Sequence, residues 1–534
     1  MSHDRTLPQA TSVLICDSLE QQGIDLLRAG GCRVDELQEA DRPRLHEVIA
    51  DYDAMIVRSA TQVDAALLEH AKRLKVVGRA GIGVDNIDVK AATRRGVLVV
   101  NAPTANLLSA TEHTFALLLA VARNLPAADR LLKAGIWNRK GLLGSELYGK
   151  TLGVIGFGQI GQRVAARARA FEMQVLAYDP FLSPDVARRL DVEPLDDLDA
   201  MIPRVDVLTF HTPLTDETRG ILSRERIAKL RPGAIVVNCG RGGVIDEDAL
   251  LEALESGHLA GAGLDVFAKE PPADFKLAAH PKVVASPHIG AQTREAQERI
   301  ATEIARMVVD SLAGSLSVAA VNLPFRPAGS RGEPYLRLGE VLGRFASATR
   351  PGQLTRVCVD LWGIEESLGS LIAVAVLRGA LQPFLGEAVN YVNAETVAAG
   401  RGIELIRTIH QQAREYSQLV GVSLCGDADE VKVAGTLHGD GEPRVVGIDD
   451  FRLEFRPEGL LLVMRNVDVP GVVGKLGTLL GAAKVNIADI HLARRDREGE
   501  ALSVLRLDQR PPKECLDALR ALPEARGVDV VDLR

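Results

Sequence analysis

The sequence has no excess of positive charge: 63 lysines and arginines stand against 71 aspartates and glutamates, a formal net charge of −8 over 534 residues. A nucleic-acid binder would normally carry a basic stripe to meet phosphates, so that class is disfavoured and any cationic site must be local. Metal-ligand spacing is missing as well. The six cysteines, Cys16, Cys32, Cys239, Cys358, Cys425 and Cys515, are scattered with no CxxC pair, which reads as reduced thiols in a cytoplasmic protein without a metal centre. No run approaches the ~18 uninterrupted apolar residues of a spanning helix, and the opening MSHDRTLPQA lacks a basic start followed by an apolar stretch, so neither membrane insertion nor export is expected. Repeats and low-complexity segments are absent.

What is present is an ordinary globular composition, 46% hydrophobic and 25% charged. A single core stops growing at roughly 250 to 300 residues, so three or four domains are expected. In the first third, apolar runs (SVLICD, AMIVRS, LKVVGRAG, VLVVNAP) alternate with amphipathic stretches; this pattern predicts a parallel, doubly wound sheet. A helix is predicted over about Ser109 to Asn124. TLGVIGFG then opens a second series of strands, QVLAYD, VDVLTFHTP, AIVVNCGRG, LAGAGLDVF and VVASPHIG, which predicts a second parallel sheet. The helical run from Arg294 to about Ala313 and the AAVNLPF after it can return the chain to the first domain. Residues 324–335, PFRPAGSRGEPY, have linker composition. Beyond them, an Ala/Leu-rich helical stretch mixes with strands, and residues 459–534 read βαββαβ, a ferredoxin-like arrangement. The expected units are 1–105 with 295–323, 106–294, 326–452 and 453–534.

Gly156-Phe157-Gly158-Gln159-Ile160-Gly161 is a GxGxxG between a strand and a helix. Its glycines serve a tight turn, close approach of backbone to pyrophosphate, and helix-on-strand packing, with the helix N-terminus facing the phosphates. The next strand ends in Asp179, whose carboxylate can accept from both ribose hydroxyls and repel a 2′-phosphate. The combination favours NAD over NADP, in a Rossmann-type unit inserted into a flavodoxin-like one.

Three residues follow later strands of the same series: Arg241 in NCGRGG, Glu270 in FAKEPP and His288 in SPHIG. Ligands of open α/β sheets bind at such strand ends. Oxidising a 2-hydroxy acid requires a fixed cation for the carboxylate and a base for the hydroxyl proton. A guanidinium grips a carboxylate bidentately without exchanging protons, which suits Arg241. An imidazole titrates near neutrality, and a carboxylate beside it fixes its tautomer; His288 and Glu270 fit those parts. Asp265 more naturally accepts from the nicotinamide carboxamide. Arg58, Arg79 and Arg139 are candidate phosphate ligands, while backbone amides around Gly81 to Gly83 and the Asn106 side chain suit carboxylate and phosphate oxygens.

These segments resemble the D-2-hydroxy-acid dehydrogenase family, at GFGQIG, at VVNCGRGGVIDEDALLEALESGHLAGAGLDVFAKEPP and at SPHIG, over about residues 10–323. The resemblance implies that Arg241, Glu270 and His288 are catalytic. It also implies that Gln159, Ile160, Asp179, Thr212, Cys239 and Asp265 contact NAD; Gly290, in the SPHIG segment, is counted with them. IVRSATQV, GRAGIGVDNID and NAPTANLLSATEH are similar to the phosphoglycerate dehydrogenase branch, in which Arg58 would bind substrate and Arg139 would reach a neighbouring subunit's site. Residues 326–452 resemble the extra domain of the long form of that branch, and the tail resembles an ACT domain, a module that pairs side by side around an amino-acid effector. Asp468 and Asn486 match its ligand-gripping positions. Implied together are NAD-dependent oxidation of 3-phospho-D-glycerate at C2, the first step of serine synthesis, with L-serine as effector and a dimer of dimers as the assembly. A glyoxylate or hydroxypyruvate reductase, and a non-catalytic NAD-sensing protein of corepressor type, are the competing readings.

Overall fold

Strands β1 (Ser12–Ile15), β2 (Arg33–Glu36), β3 (Ala54–Val57), β4 (Val76–Arg79) and β5 (Leu98–Asn101) form an all-parallel sheet in the order β2-β1-β3-β4-β5. The computed structural model describes residues 11–316, 319–349, 352–411, 415–426, 429–439, 441–495 and 499–534; the opening segment read for export lies outside them. β1 and β3 are buried along their whole length, because helices cover both faces of a parallel sheet and favour continuous apolar runs. One cover is the helix Arg294–Leu312, whose Ile304 and Val308 close on Gly78 of β4. After it the chain returns to β5: Val321 donates its amide to the Val99 carbonyl at 2.8 Å, and the Asn322 side chain accepts from the Val99 amide at 2.8 Å.

The second sheet is also all parallel. It comprises β6 (Thr151–Ile155), β7 (Gln174–Tyr178), β8 (Glu193–Pro194), β9 (Val207–Phe210), β10 (Ala234–Asn238), β11 (Leu259–Leu264) and β12 (Val283–Ala285), ordered β12-β11-β10-β9-β6-β7-β8. Strand order reverses between β6 and β9, which opens a crevice at their carboxyl ends. The helix Leu107–Ala122 links the two sheets in the chain.

A third, mixed sheet contains β13 (Arg356–Trp362), β14 (Glu404–His410), β15 (Leu419–Cys425), β16 (Glu430–Leu437), β17 (Pro443–Ile448) and β18 (Phe451–Phe455), with β14 at one edge and β18 at the other. The helices Glu333–Ala348 and Glu366–Leu385 pack on each other and on this sheet. By length and composition alone, 366–388 would pass for a membrane span, which the run-length reading did not register; 67% of that window is buried inside the protein. The Pro/Gly-dense segment before these helices is anchored at both ends. Phe325 and Tyr335 lie in the third-sheet core, and Pro334 sits in the first turn of a helix, where its missing N–H costs nothing.

The fourth sheet is antiparallel: β19 (Leu460–Val467), β20 (Ile487–Arg494), β21 (Glu500–Leu507) and β22 (Ala525–Asp532), ordered β20-β21-β19-β22. This is the expected βαββαβ arrangement. Residues alternate across β19: Leu460, Leu462 and Met464 pack with the sheet's own helices, while Leu461 and Val463 enter the third-sheet core.

Candidate active site

The glycine-rich turn has the geometry a dinucleotide needs. Gly156 has φ +87°, and a Cβ there would lie 2.7 Å from the His211 carbonyl carbon. A Cβ on Gly161 would lie 2.2 Å from the Gly156 oxygen, whereas one on Gly158 would meet nothing within 4 Å. The first and third glycines are therefore required by packing and the second leaves room for a ligand. Gly158 and Gln159 are exposed at the head of the helix Gln159–Ala170, and Ile160 is half-buried. Asp179 ties the turn to the end of β7: it accepts from the Phe157 amide at 2.7 Å and the Phe181 amide at 2.8 Å, and each oxygen keeps acceptor capacity for a hydroxyl. The Thr212 hydroxyl is buried without a partner. Burial pushes the Cys239 thiol up to about 12, so it stays neutral. These residues fit NAD.

Arg241, Glu270 and His288 follow the adjacent strands β10, β11 and β12. His288 Nδ1 lies 2.6 Å from Glu270 Oε2, while Oε1 accepts from the Phe267 amide at 3.1 Å. With Nδ1 donated to the carboxylate, Nε2 is the nitrogen left for proton exchange. His288 has φ +54°, a conformation that costs a non-glycine residue about 1–3 kcal/mol and must be held by its surroundings. Asp265, 1% exposed, does much of that holding. Its carboxylate accepts from the amides of Ile289 and Gly290, both at 2.8 Å, and from the Ser286 hydroxyl at 2.6 Å. Gly290 has its amide taken by Asp265, while its carbonyl accepts from the Ser109 hydroxyl.

Arg241 reaches from the second sheet to the loop after β4, donating to Asp85 at 3.1 Å and lying close against Gly83. There it meets Arg79 and Arg58, from the ends of β4 and β3. Burial, and then the charges of Arg241 and Arg58, pull the Arg79 pKa down to about 10; burial also lowers Arg58, against the pull of Asp17 and Glu20. Arg79 Nε and Asn106 Oδ1 are buried without partners. Two guanidiniums that weaken the hold of a third on its proton make a local excess of positive charge, which an anion can relieve. The Gly81 amide donates to the Arg79 carbonyl at 2.8 Å, which leaves Gly83 as the glycine amide of that pair to consider for substrate.

Several supporting residues escaped the sequence reading. Asp17 accepts from the Arg58 amide at 2.6 Å, and the Asn86 side chain donates to the Arg58 carbonyl at 2.7 Å; together they set the Arg58 loop. Asp17 ends the first apolar run, the position at which functional residues of such sheets gather, and that was its available signal. Among the described residues no group of three or more His, Cys, Asp and Glu side chains is arranged to hold a metal.

Residues 115–290 match the D-isomer specific 2-hydroxyacid dehydrogenase NAD binding domain, 332–449 the D-3-phosphoglycerate dehydrogenase intervening domain, and 460–524 the ACT domain. The chain is 40% identical over 524 residues to a D-3-phosphoglycerate dehydrogenase of Methanocaldococcus jannaschii, covering 98% of this chain and 99% of that one. It is 42% identical over 525 residues to one of Mycobacterium leprae, with 98% and 99% covered. The chain belongs to the D-3-phosphoglycerate dehydrogenase family. It is an NAD-dependent dehydrogenase. Among solved structures it is similar to a glyoxylate reductase from Paecilomyes thermophila (TM-score 0.55, 29% identity, 59% of this chain and 99% of that one). A D-lactate dehydrogenase from Aquifex aeolicus, complexed with NAD and lactic acid, is similar too (TM-score 0.50, 29% identity, 57% and 96%).

Two remaining features of this D-3-phosphoglycerate dehydrogenase family member lie away from the cleft. Arg139 is on an exposed segment with Trp137, 82% exposed, and Leu143, 95% exposed. In the fourth sheet Asp468 follows β19 and lies 3.7 Å from Arg494, at the far end of β20, whereas Asn486 precedes β20 and donates to Asp508 at 2.7 Å. Strand register places these two at opposite ends of one sheet, roughly 20 Å apart at the usual rise per residue. A single chain does not bring them together.

Proposed function

We propose that this protein oxidises 3-phospho-D-glycerate at C2 to 3-phosphohydroxypyruvate, the first step of L-serine synthesis, in the cytoplasm. The observation that carries this reading is the convergence of Arg58, Arg79 and Arg241 from the ends of β3, β4 and β10. A substrate with a carboxylate at one end and a phosphate at the other needs more than one fixed cation. Arg241 clamps the carboxylate, as a guanidinium does bidentately, and Arg58 with Arg79 holds the phosphate. NAD, when bound, supplies the hydride acceptor. His288 Nε2 takes the C2 hydroxyl proton as hydride leaves C2, and Glu270 fixes the ring's orientation and tautomer. Asp179 favours NAD by occupying the place a 2′-phosphate would need.

Arg58→Ala should raise KM for the phosphorylated substrate by about 10- to 100-fold, the worth of a charge-assisted contact, and change it little for a small unphosphorylated 2-keto acid. Equal effects on the two substrates would overturn the assignment, as would failure of the purified protein to form NADH.

The protein acts as a homo-oligomer, a dimer of dimers. The helix Leu125–Lys133 buries none of its residues although it carries Leu125 and Leu132, and Trp137, Leu143 and Tyr148 continue the exposed apolar face. A second copy covering that face would carry Arg139 toward its neighbour's cleft. The opposed positions of Asp468 and Asn486 favour an effector site completed by two chains related by a twofold axis, with L-serine as its ligand. A native mass equal to one chain would exclude both.

A further inference from the structure

We propose that His113 is a positioning residue for catalysis, acting on His288 through Asp265 and the Ser286–Gly290 loop; this rests on the reading of His288 as the proton acceptor. His288 holds φ +54°, and its backbone amide is tied to the Asp265 carbonyl at 2.8 Å. The same aspartate's carboxylate gathers the Ser286 hydroxyl and the amides on the far side of His288. Whatever fixes that carboxylate therefore fixes the base.

His113 does so from a different element. Its Nε2 lies 3.2 Å from Asp265 Oδ1 and 2.9 Å from Ser286 Oγ. Because the serine hydroxyl donates to Oδ1, the proton between His113 and this pair belongs to His113 Nε2, which bridges the two. Four residues earlier, Ser109 donates to the Gly290 carbonyl at 2.6 Å. Residues four apart share a helix face, so one face of Leu107–Ala122 grips the loop at two points. Asn106, just before that helix, is a candidate substrate ligand through its side-chain N–H₂. The helix thus joins substrate pocket and base loop. Without the bridge, the loop keeps its fold but His288 loses its setting relative to C2, and displacements of about 1 Å cost on the order of a hundredfold in rate.

The test uses the amide analogues in the full-length enzyme. Glutamine places its N–H₂ near the former Nε2, whereas asparagine places it near Nδ1 and falls short of Asp265. For His113→Asn, kcat should fall on the order of 10- to 100-fold. NADH affinity should stay within about threefold, and the isotope effect on kcat with C2-deuterated substrate should rise because the chemical step has become limiting. His113→Gln should recover kcat to within about threefold of the parent. The proposal fails if asparagine leaves kcat unchanged, if both variants lose activity equally, or if the loss follows NADH affinity. His288→Gln separates the readings: normal turnover in that variant overturns the base assignment itself, whereas its collapse beside a fully active His113→Asn overturns the positioning role alone.

Discussion

A guanidinium enclosed beside two others is short of counter-charge, and Arg79 shows the consequence in its weakened hold on its proton, down to about 10. An anion entering the cluster supplies the missing charge, and by linkage the bound anion stabilises the folded protein. Inorganic phosphate at about 100 times its Kd should therefore raise stability by roughly 2.7 kcal/mol, readable as a shift in Tm, and Arg58→Ala should remove most of it. The protonated guanidinium is the form that binds. Its pKa is depressed in the fold, so the stabilisation is complete well below pH 10 and is lost as pH rises through about 10. A phosphate effect that persists undiminished above that range would place the anion elsewhere. The residues that build the site were unequally legible. Arg58 and Arg79 end apolar runs, as strand-end ligands do, but Asp17 is 41 positions from the amide it holds and His113 is 152 positions from Asp265. Pairings across such separations exist only once the sheets are assembled.

Elements were legible in proportion to how much of them is buried. β1, β3, β9 and β10 are buried along their length and largely apolar, and announce themselves; β2 (RVDE) has no buried residue, β8 has two residues, and β14 is an exposed edge strand. Edge strands are held by backbone pairing on one side, which leaves little periodicity in their side chains. The helix Glu333–Ala348 was missed for another reason: its Gly339 and Gly343 lower helix propensity, and Pro334 and Glu333 blend into the preceding loop composition. Those glycines are there for contact. A Cβ on Gly343 would lie 2.1 Å from the Val376 carbonyl oxygen of the facing helix, a backbone atom that cannot step aside. Gly343→Val should cost at least about 2 kcal/mol in chemical denaturation of the third-sheet core. NADH binding, which belongs to the second sheet, should be retained; loss of both together would mean that the sheets unfold as one unit.

At the scale of the molecule, the two carboxyl-terminal sheets share a core. Leu461, Val463, Leu502, Val504 and Val531, from the fourth sheet, are buried in one cluster with Val422 and Phe455 of the third sheet and Phe345 of the helix packed on it. β18 lies against β20 and the helix Glu333–Ala348 against β22, while the rings of Phe455 and His491 sit 5.8 Å apart. The apolar alternation of the tail fits both faces of β19, but which neighbour the second face meets is invisible until the third sheet is in place. A domain joined by a simple tether could be cut away without harm; this one shares its core with its neighbour. Truncation near Phe455 would leave the third-sheet side of that core in water, at roughly 1.5–3 kcal/mol for each fully buried side chain uncovered. Three such side chains, at about 4.5–9 kcal/mol together, are comparable with a typical net stability of about 5–15 kcal/mol. The truncated chain should therefore bind a hydrophobic dye and unfold at a lower temperature whether or not L-serine is an effector. Asp468→Ala in the full-length protein avoids this difficulty: it should abolish inhibition by L-serine while Tm stays near that of the parent, and inhibition surviving that substitution would remove Asp468 from the effector site.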